Sequence, residues 1–174
     1  MSNLNPFHVK KATVTDAVVL AQIGSTTFYD TFRPYNTEED MQLYLNKTYQ
    51  PSVVKENLSN PSVHYYLCLE DRKVVGYIKL IHNNTYEHLA GKTIELEKIY
   101  VLQSHFGTEA GKLLMQQAIM HSRLNQFDIL FLGVWKENMR AVRFYEKIGF
   151  TIFSTRFFKL GERLCEDYMM KLVL

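Results

Sequence analysis

The sequence predicts a mixed α/β fold, with antiparallel strands first and a parallel step in its middle. Three observations carry this reading. All four prolines (Pro6, Pro34, Pro51 and Pro61) fall in a first third that reads as helix and loop. After Pro61 the apolar residues alternate with period two. Farther on, Ala110, Leu113, Leu114, Gln117 and Ala118 recur at helical spacing between two short apolar runs, the pattern of strand, crossover helix and strand.

In the first third, Thr15 and Asp16 can cap a helix carrying Val18, Val19, Leu20 and Ile23. Thr37, with Asp40 three residues on, resembles a capping box ahead of Met41, Tyr44 and Leu45, so two short helices are expected. Tyr65–Leu69 and Val74–Ile81, separated by Glu70-Asp71-Arg72-Lys73, read as a hairpin, and a polar interval follows from His82 to Lys92. Ile94–Val101 is a further strand whose apolar phase slips, since Ile94 and Leu96 share one parity while Ile99 and Val101 share the other. A β-bulge near Glu97 or Lys98 accounts for the slip. Ile129–Val134 is short enough for a buried strand, and Met139–Ile148 reads as a helix stopped by Gly149. Strands near Phe150–Phe158 and Tyr168–Leu174 end the chain.

The 174 residues are 47% hydrophobic, enough to bury roughly two thirds of the unfolded surface. No linker composition or fixed-period repeat divides them, so residues 1–174 are expected to form one domain. Twenty basic residues against eighteen acidic ones leave a net charge of +2, which lacks the wide basic face of a nucleic-acid binder but allows a local anion pocket. Cys68 and Cys165 stand in no ligand spacing and are read as buried small hydrophobes. His64, His82, His88, His105 and His121 show no metal-ligand spacing, so no metal is expected. Met1–Lys10 has no apolar run of signal-peptide length and no stretch reaches the ~18 apolar residues of a membrane span. The expectation is a cytoplasmic protein with no membrane contact.

Between Val101 and Leu113 the chain passes from strand to helix through Gln103-Ser104-His105-Phe106-Gly107-Thr108-Glu109-Ala110-Gly111-Lys112. The first amides of a helix lack intrahelical acceptors and carry the positive end of its dipole, so such a junction can hold a diphosphate by main-chain N–H groups. Gly111 would admit the ligand closely, and Lys112 could add charge at the rim. A P-loop is a poor match, because three residues rather than four separate Gly107 from Gly111 and Leu113 stands where a Ser or Thr is required. A dinucleotide fingerprint lacks its third glycine. Judged alone, the loop could equally be an ordinary glycine turn ahead of a helix.

The next segment, from Leu132-Gly133-Val134-Trp135 to Gly149-Phe150, is more specific. Asn138, Ala141, Phe144, Tyr145 and Gly149-Phe150 resemble the N-x-x-A-x-x-F-Y-x-x-x-G-F signature of GNAT acetyltransferases, following the glycine loop at that superfamily's spacing. Together with Ile94–Val101 and Thr27–Phe32, these residues are most similar to the PaiA-type spermidine/spermine acetyltransferases, over nearly the whole chain. The loop departs from the usual Gln/Arg-x-x-Gly-x-Gly/Ala: Phe106 takes the first position, Glu109 the middle glycine and Gly111 the last. Either the Glu109 side chain faces solvent or cofactor affinity is reduced; main-chain donors favour the first.

The resemblance implies a GNAT fold, a mixed and mostly antiparallel sheet splayed at the cofactor cleft and flanked by helices. Acetyl-CoA would be the cosubstrate, with a small-molecule amine attacking the thioester directly. It assigns the cofactor to main-chain groups of Ile99, Tyr100 and Val101, to Phe106, Gly107, Thr108, Glu109, Ala110, Gly111 and Lys112, and to Asn138 and Lys147. Tyr145 would protonate the departing thiolate. Because an alkyl ammonium is almost wholly protonated at neutral pH, a relay is needed, and Glu97 beside the bulge is the first candidate, with Glu95 second. Asp30, Glu38, Glu39 and Asp40 could flank a polyamine but fit a helix-cap role better; Tyr29, Phe32, Tyr35 and Tyr44 could line an acceptor pocket or a core. A peptide acceptor, a non-catalytic CoA-binding regulator and a homodimer stay open.

Overall fold

The computed structural model describes residues 5–161 and 163–174. In chain order they form β1 (Phe7–Lys11), α1 (Ala17–Phe32), α2 (Glu38–Thr48), α3 (Pro51–Ser59), β2 (Val63–Glu70), β3 (Lys73–His82), β4 (Thr93–Val101), α4 (Glu109–Leu124), β5 (Ile129–Trp135), α5 (Met139–Ile148), β6 (Thr151–Leu160) and β7 (Arg163–Val173). The strands make one seven-stranded sheet in the order β1-β2-β3-β4-β5-β7-β6, antiparallel throughout except where β4 meets β5.

Two elements go beyond the sequence reading. The five-residue β1 pairs antiparallel with β2, and α3 is a third helix in the first segment, with Pro51 at its start, where a missing N–H costs nothing. The start of α1 also differs. A short 3₁₀ turn over Val14–Asp16 precedes it, and the Asp16 carboxylate accepts from the Thr13 N–H at 2.9 Å, so Thr13 rather than Thr15 opens the helical segment. The hairpin, the crossover and the stop at Gly149, whose φ is +108°, lie where expected.

Strand alternation divides the apolar residues between two cores. Tyr66, Cys68, Ile78, Leu80, Ile94 and Leu96 face α4 and α5, meeting Ala110, Leu114, Ala118, Val142 and Tyr145. Tyr65, Leu67 and Tyr77 face the other way, against Leu20, Phe28, Met41, Leu45 and Val54 of α1–α3. Both cysteines are buried and free, as read; burial pushes the Cys68 thiol up to about 11.

The phase slip in β4 is a bulge. Lys98 pairs with Lys79 while Leu96 pairs with the next residue, Leu80, leaving Glu97 unopposed. The extra residue restores Ile99 and Val101 to the face already occupied by Ile94 and Leu96.

Candidate active site

The parallel pairing of β4 with β5 covers only Thr93–Ile129, Ile94–Leu130 and Glu95–Phe131; beyond Glu95 the strands part. Leu102 N–H donates to Val75 O at 2.9 Å, which fixes the phase of the β3–β4 ladder. Tyr100 therefore bonds back to β3, whereas the N–H and C=O groups of Ile99 and Val101 point to the side that β5 has vacated. The opening between the strands is a cavity of about 250 Å³ reaching from Ile99, Tyr100 and Val101 to Leu132–Trp135 and Tyr145. A strand edge with free main-chain groups inside a protein is built to bond a ligand that carries amides of its own. The Tyr100 ring lies against Tyr77 at 5.9 Å, on the α1 side.

A second opening of about 230 Å³ adjoins the first and is lined by Ile99, Val101, Phe106, Gly107, Thr108, Gly111 and Lys112. Gly107 holds a φ of +80°, a conformation that costs a residue with a Cβ, and the space over its Cα is open. A methyl group on Gly111 would meet only Val101 Cγ2, at 4.0 Å, so the first turn of α4 is bare on this side. Thr108 caps α4, accepting from Ala110 N–H at 3.3 Å, while the Ala110 side chain is buried in the core.

Glu109 does not enter either opening. Its carboxylate pairs with Lys112 Nζ at 2.8 Å, one turn along the exposed side of α4, with half its side-chain surface in water. Phe106, 42% exposed, is covered by the Arg140 guanidinium, 3.5 Å from the ring centroid. Arg140 borders both openings and so places a cation beside the loop, a feature the sequence reading missed because the arginine sits on α5.

α5 contributes three more groups. Asn138 Oδ1 caps the helix, accepting from Ala141 N–H at 3.2 Å, which fixes the amide and leaves its nitrogen to donate to a ligand. Tyr145 lines both openings at their junction, between Phe144 and Phe150, whose ring centroids lie 5.5 and 5.7 Å away. Burial drives its phenol well above the usual tyrosine range, with Arg140 pulling weakly the other way, so it carries its proton at neutral pH. Lys147, in the last turn of α5, borders neither opening.

The two candidate carboxylates lie on one face of β4, near enough for the Glu97 charge to act on Glu95, but in different surroundings. Glu97 lines the larger cavity and is paired with Lys79 Nζ at 2.6 Å. Glu95 is buried away from it and accepts from Asn84 Nδ2; burial raises its carboxyl, the Asn84 bond opposing. A third carboxylate, Asp167 of β7, also lines the cavity, and burial raises it above the ordinary range against the pull of Arg156, whose Nε is 3.5 Å from Oδ2. Arg156 reaches Glu95 as well, at 3.7 Å, over Gly133, where a Cβ would stand 2.7 Å from the guanidinium.

Phe28, Phe32, Tyr44, Trp135 and Phe158 wall the cavity opposite the loop. Tyr29 and Tyr35 do not line it: Tyr29 donates to Glu38 Oε2 at 2.7 Å, and Tyr35 packs edge-on against the outer side of Trp135. Glu38, Glu39 and Asp40 sit in the first turn of α2, which Thr37 caps, and neither they nor Asp30 border the cavity. Among the described residues, no helix is long and apolar enough to cross a membrane.

Residues 25–150 match the model of the acetyltransferase (GNAT) family. The chain is 33% identical over 153 residues to an uncharacterized N-acetyltransferase in the pepI 3′ region of Lactobacillus delbrueckii subsp. lactis, covering 87% of this chain and 88% of that one. It is 31% identical over 157 residues to an uncharacterized N-acetyltransferase of Mycobacterium tuberculosis, covering 90% and 97%. In fold it is similar to the PaiA N-acetyltransferase from Thermoplasma acidophilum, solved in complex with coenzyme A, with a TM-score of 0.79 at 19% identity over 97% and 99% of the two chains. The split sheet, the bare helix start beside it and the family match lead to one conclusion: the chain belongs to the GNAT family of acetyltransferases, and acetyl-CoA is its cosubstrate.

Proposed function

We propose that the protein moves the acetyl group of acetyl-CoA onto a primary amine of a small molecule, with a polyamine as the acceptor class. The observation that carries this is the parting of β4 from β5 after Glu95, which opens one cavity shared by a free strand edge, a phenol and two carboxylates.

In this reading the pantetheine arm lies along β4 and bonds the main-chain groups of Ile99 and Val101. Its diphosphate meets the amides from Gly107 to Lys112, with Arg140 and Lys112 adding charge. The thioester then sits where the two openings join, beside Tyr145. Attack by the amine forms the C–N bond and breaks the C–S bond. A thiol of pKa near ~8.5 leaves a thiolate too weakly basic to strip a buried phenol completely, so Tyr145 acts first by donating a hydrogen bond to the developing sulfur charge.

The amine must lose a proton before it attacks. Glu97 lines the acceptor side and can orient a water to take that proton, the Lys79 pair fixing the carboxylate in place. Asp167, on β7 of the facing half of the sheet, is a second acceptor. Aromatic walls with two carboxylates suit a molecule bearing several ammonium groups, through cation–π and ionic contacts. This supports a polyamine, though the carboxylates come from β4 and β7 rather than from the α1–α2 segment.

The experiment is free-thiol release from acetyl-CoA with spermidine, simple alkyl amines and peptides. Turnover on spermidine is expected, with the Glu97→Gln variant displaced to higher pH. Turnover on peptides alone would replace the polyamine acceptor, and saturable CoA binding with no turnover on any amine would make the protein a regulator. A homodimer is supported by the edge hairpin β6–β7, where Phe157, Leu164 and Val173 are exposed; a monomer in sedimentation would refute it.

A further inference from the structure

Strand pairing and helix packing bring together three histidines that are scattered in the sequence. His64 of β2 pairs with Leu80, and His82 stands two residues beyond Leu80 on β3, so both rings project from the same face of the sheet. The last turn of α4 crosses that face with His121. The ring centroids of His64 and His82 are 4.2 Å apart, and those of His64 and His121 4.8 Å. His82 Nε2 and His121 Nε2 are 2.6 Å apart.

We propose that His64, His82 and His121 bind a divalent transition-metal ion, Zn²⁺ being the best fit. One potential ligand atom from each of the three rings lies within 4.8 Å of the others. Tetrahedral zinc with bonds of ~2.0–2.1 Å needs its nitrogens about 3.3 Å apart, so a pair at the 4.8 Å limit would have to draw in by about 1.5 Å on binding. Three imidazoles with no carboxylate or thiolate select zinc, copper, nickel or cobalt over magnesium or calcium, and leave a fourth position for water.

Two details favour a metal over a stack of neutral rings. Tyr66 Oη lies 2.8 Å from His121 Nδ1, so Nδ1–H can donate to the phenol and turn Nε2 toward His82, the supporting contact that metal-bound histidines commonly have. In addition, His64 Nε2 is shielded from water and has no hydrogen-bond partner, a cost that an ion would remove. A stack would use the single His82–His121 bond and leave His64 unsatisfied. Burial first, and neighbouring histidine and lysine charge after it, hold His64 and His121 down at about 4, so their lone pairs are free at neutral pH. The positive charges facing the trio are Lys11 and Lys92; both oppose a dication and temper its affinity. The site is separate from the cleft, since His121 lies twelve residues along α4 from Glu109, about 18 Å of helix.

The test is titration of chelator-stripped protein with zinc sulfate by calorimetry, with Co²⁺ added in parallel for its tetrahedral visible spectrum. One ion per chain is expected, bound at micromolar Kd or tighter. His82→Gln and His121→Gln should each weaken binding at least 30-fold, Tyr66→Phe about tenfold, and His88→Gln not at all. Each variant should keep wild-type acetyl transfer in chelator, which separates loss of the site from loss of the fold. Failure of wild-type protein to bind zinc below millimolar concentration, or binding unaltered by His82→Gln, would overturn the proposal.

Discussion

Replacing Tyr145 by Phe isolates one oxygen in the proposed reaction. The ring is 7% exposed and held between Phe144 and Phe150, so the variant keeps the same volume and the same aromatic contacts. Folding stability should change by less than about 1 kcal/mol, the scale of one net hydrogen bond. Losing a fixed donor to a developing anion costs about 10² to 10³ in rate, or about 2.7–4 kcal/mol of transition-state stabilisation. In the proposed arrangement main-chain groups, Arg140 and Lys112 hold the cofactor, and the change removes none of them. The prediction is therefore split: kcat for thiol release falls about 10²- to 10³-fold, while the CoA Kd from calorimetry stays within about twofold. Wild-type turnover would remove Tyr145 from the chemistry, and a parallel loss of CoA binding would make it a cofactor contact instead.

Two other substitutions test separate parts of the site. In Gly111→Ala the new methyl group has almost nothing to meet in the free protein, so thermal stability should rise by up to about 1 kcal/mol from helix propensity while acetyl-CoA binding weakens about tenfold or more. Unchanged affinity would place the diphosphate elsewhere. Folded Glu95 keeps its proton to higher pH than the unfolded chain does, so folding takes up a proton in that window and stability falls as pH rises above the ordinary carboxylate range. Glu95→Gln preserves the Asn84 contact and should flatten that slope in urea midpoints measured from pH 4 to 7; a steeper fall would contradict it.

Features written in local pattern were legible from sequence. The bulge at Glu97 showed as a parity slip, and Gly149 showed as a helix stop, because each acts on neighbouring residues. β1 escaped notice because five residues with three charged or polar side chains carry too little alternation without β2 beside them. Glu109 raised a question of direction that only the i, i+3 partner Lys112 answers. Asp167, Arg156 and Arg140 were invisible for a different reason: each belongs to a strand or helix far along the chain and gains meaning only where the sheet splits. The histidine trio is the same case, since residues 64, 82 and 121 become neighbours through strand register and helix packing alone.

The brief junction of β4 with β5 bears on how the molecule holds together. Among the described residues, Thr93, Ile94 and Glu95, with the Lys92 carbonyl that accepts from Asp128 and Ile129 N–H just before them, join the four-stranded half of the sheet to the three-stranded half by main-chain bonds. A cofactor lying in the gap would act as a missing strand, spanning both halves like a splint. Amides of β5 and β7 should then exchange with solvent sooner than those of β2 and β3 in the free protein, and the gap between the two groups should close when coenzyme A is added.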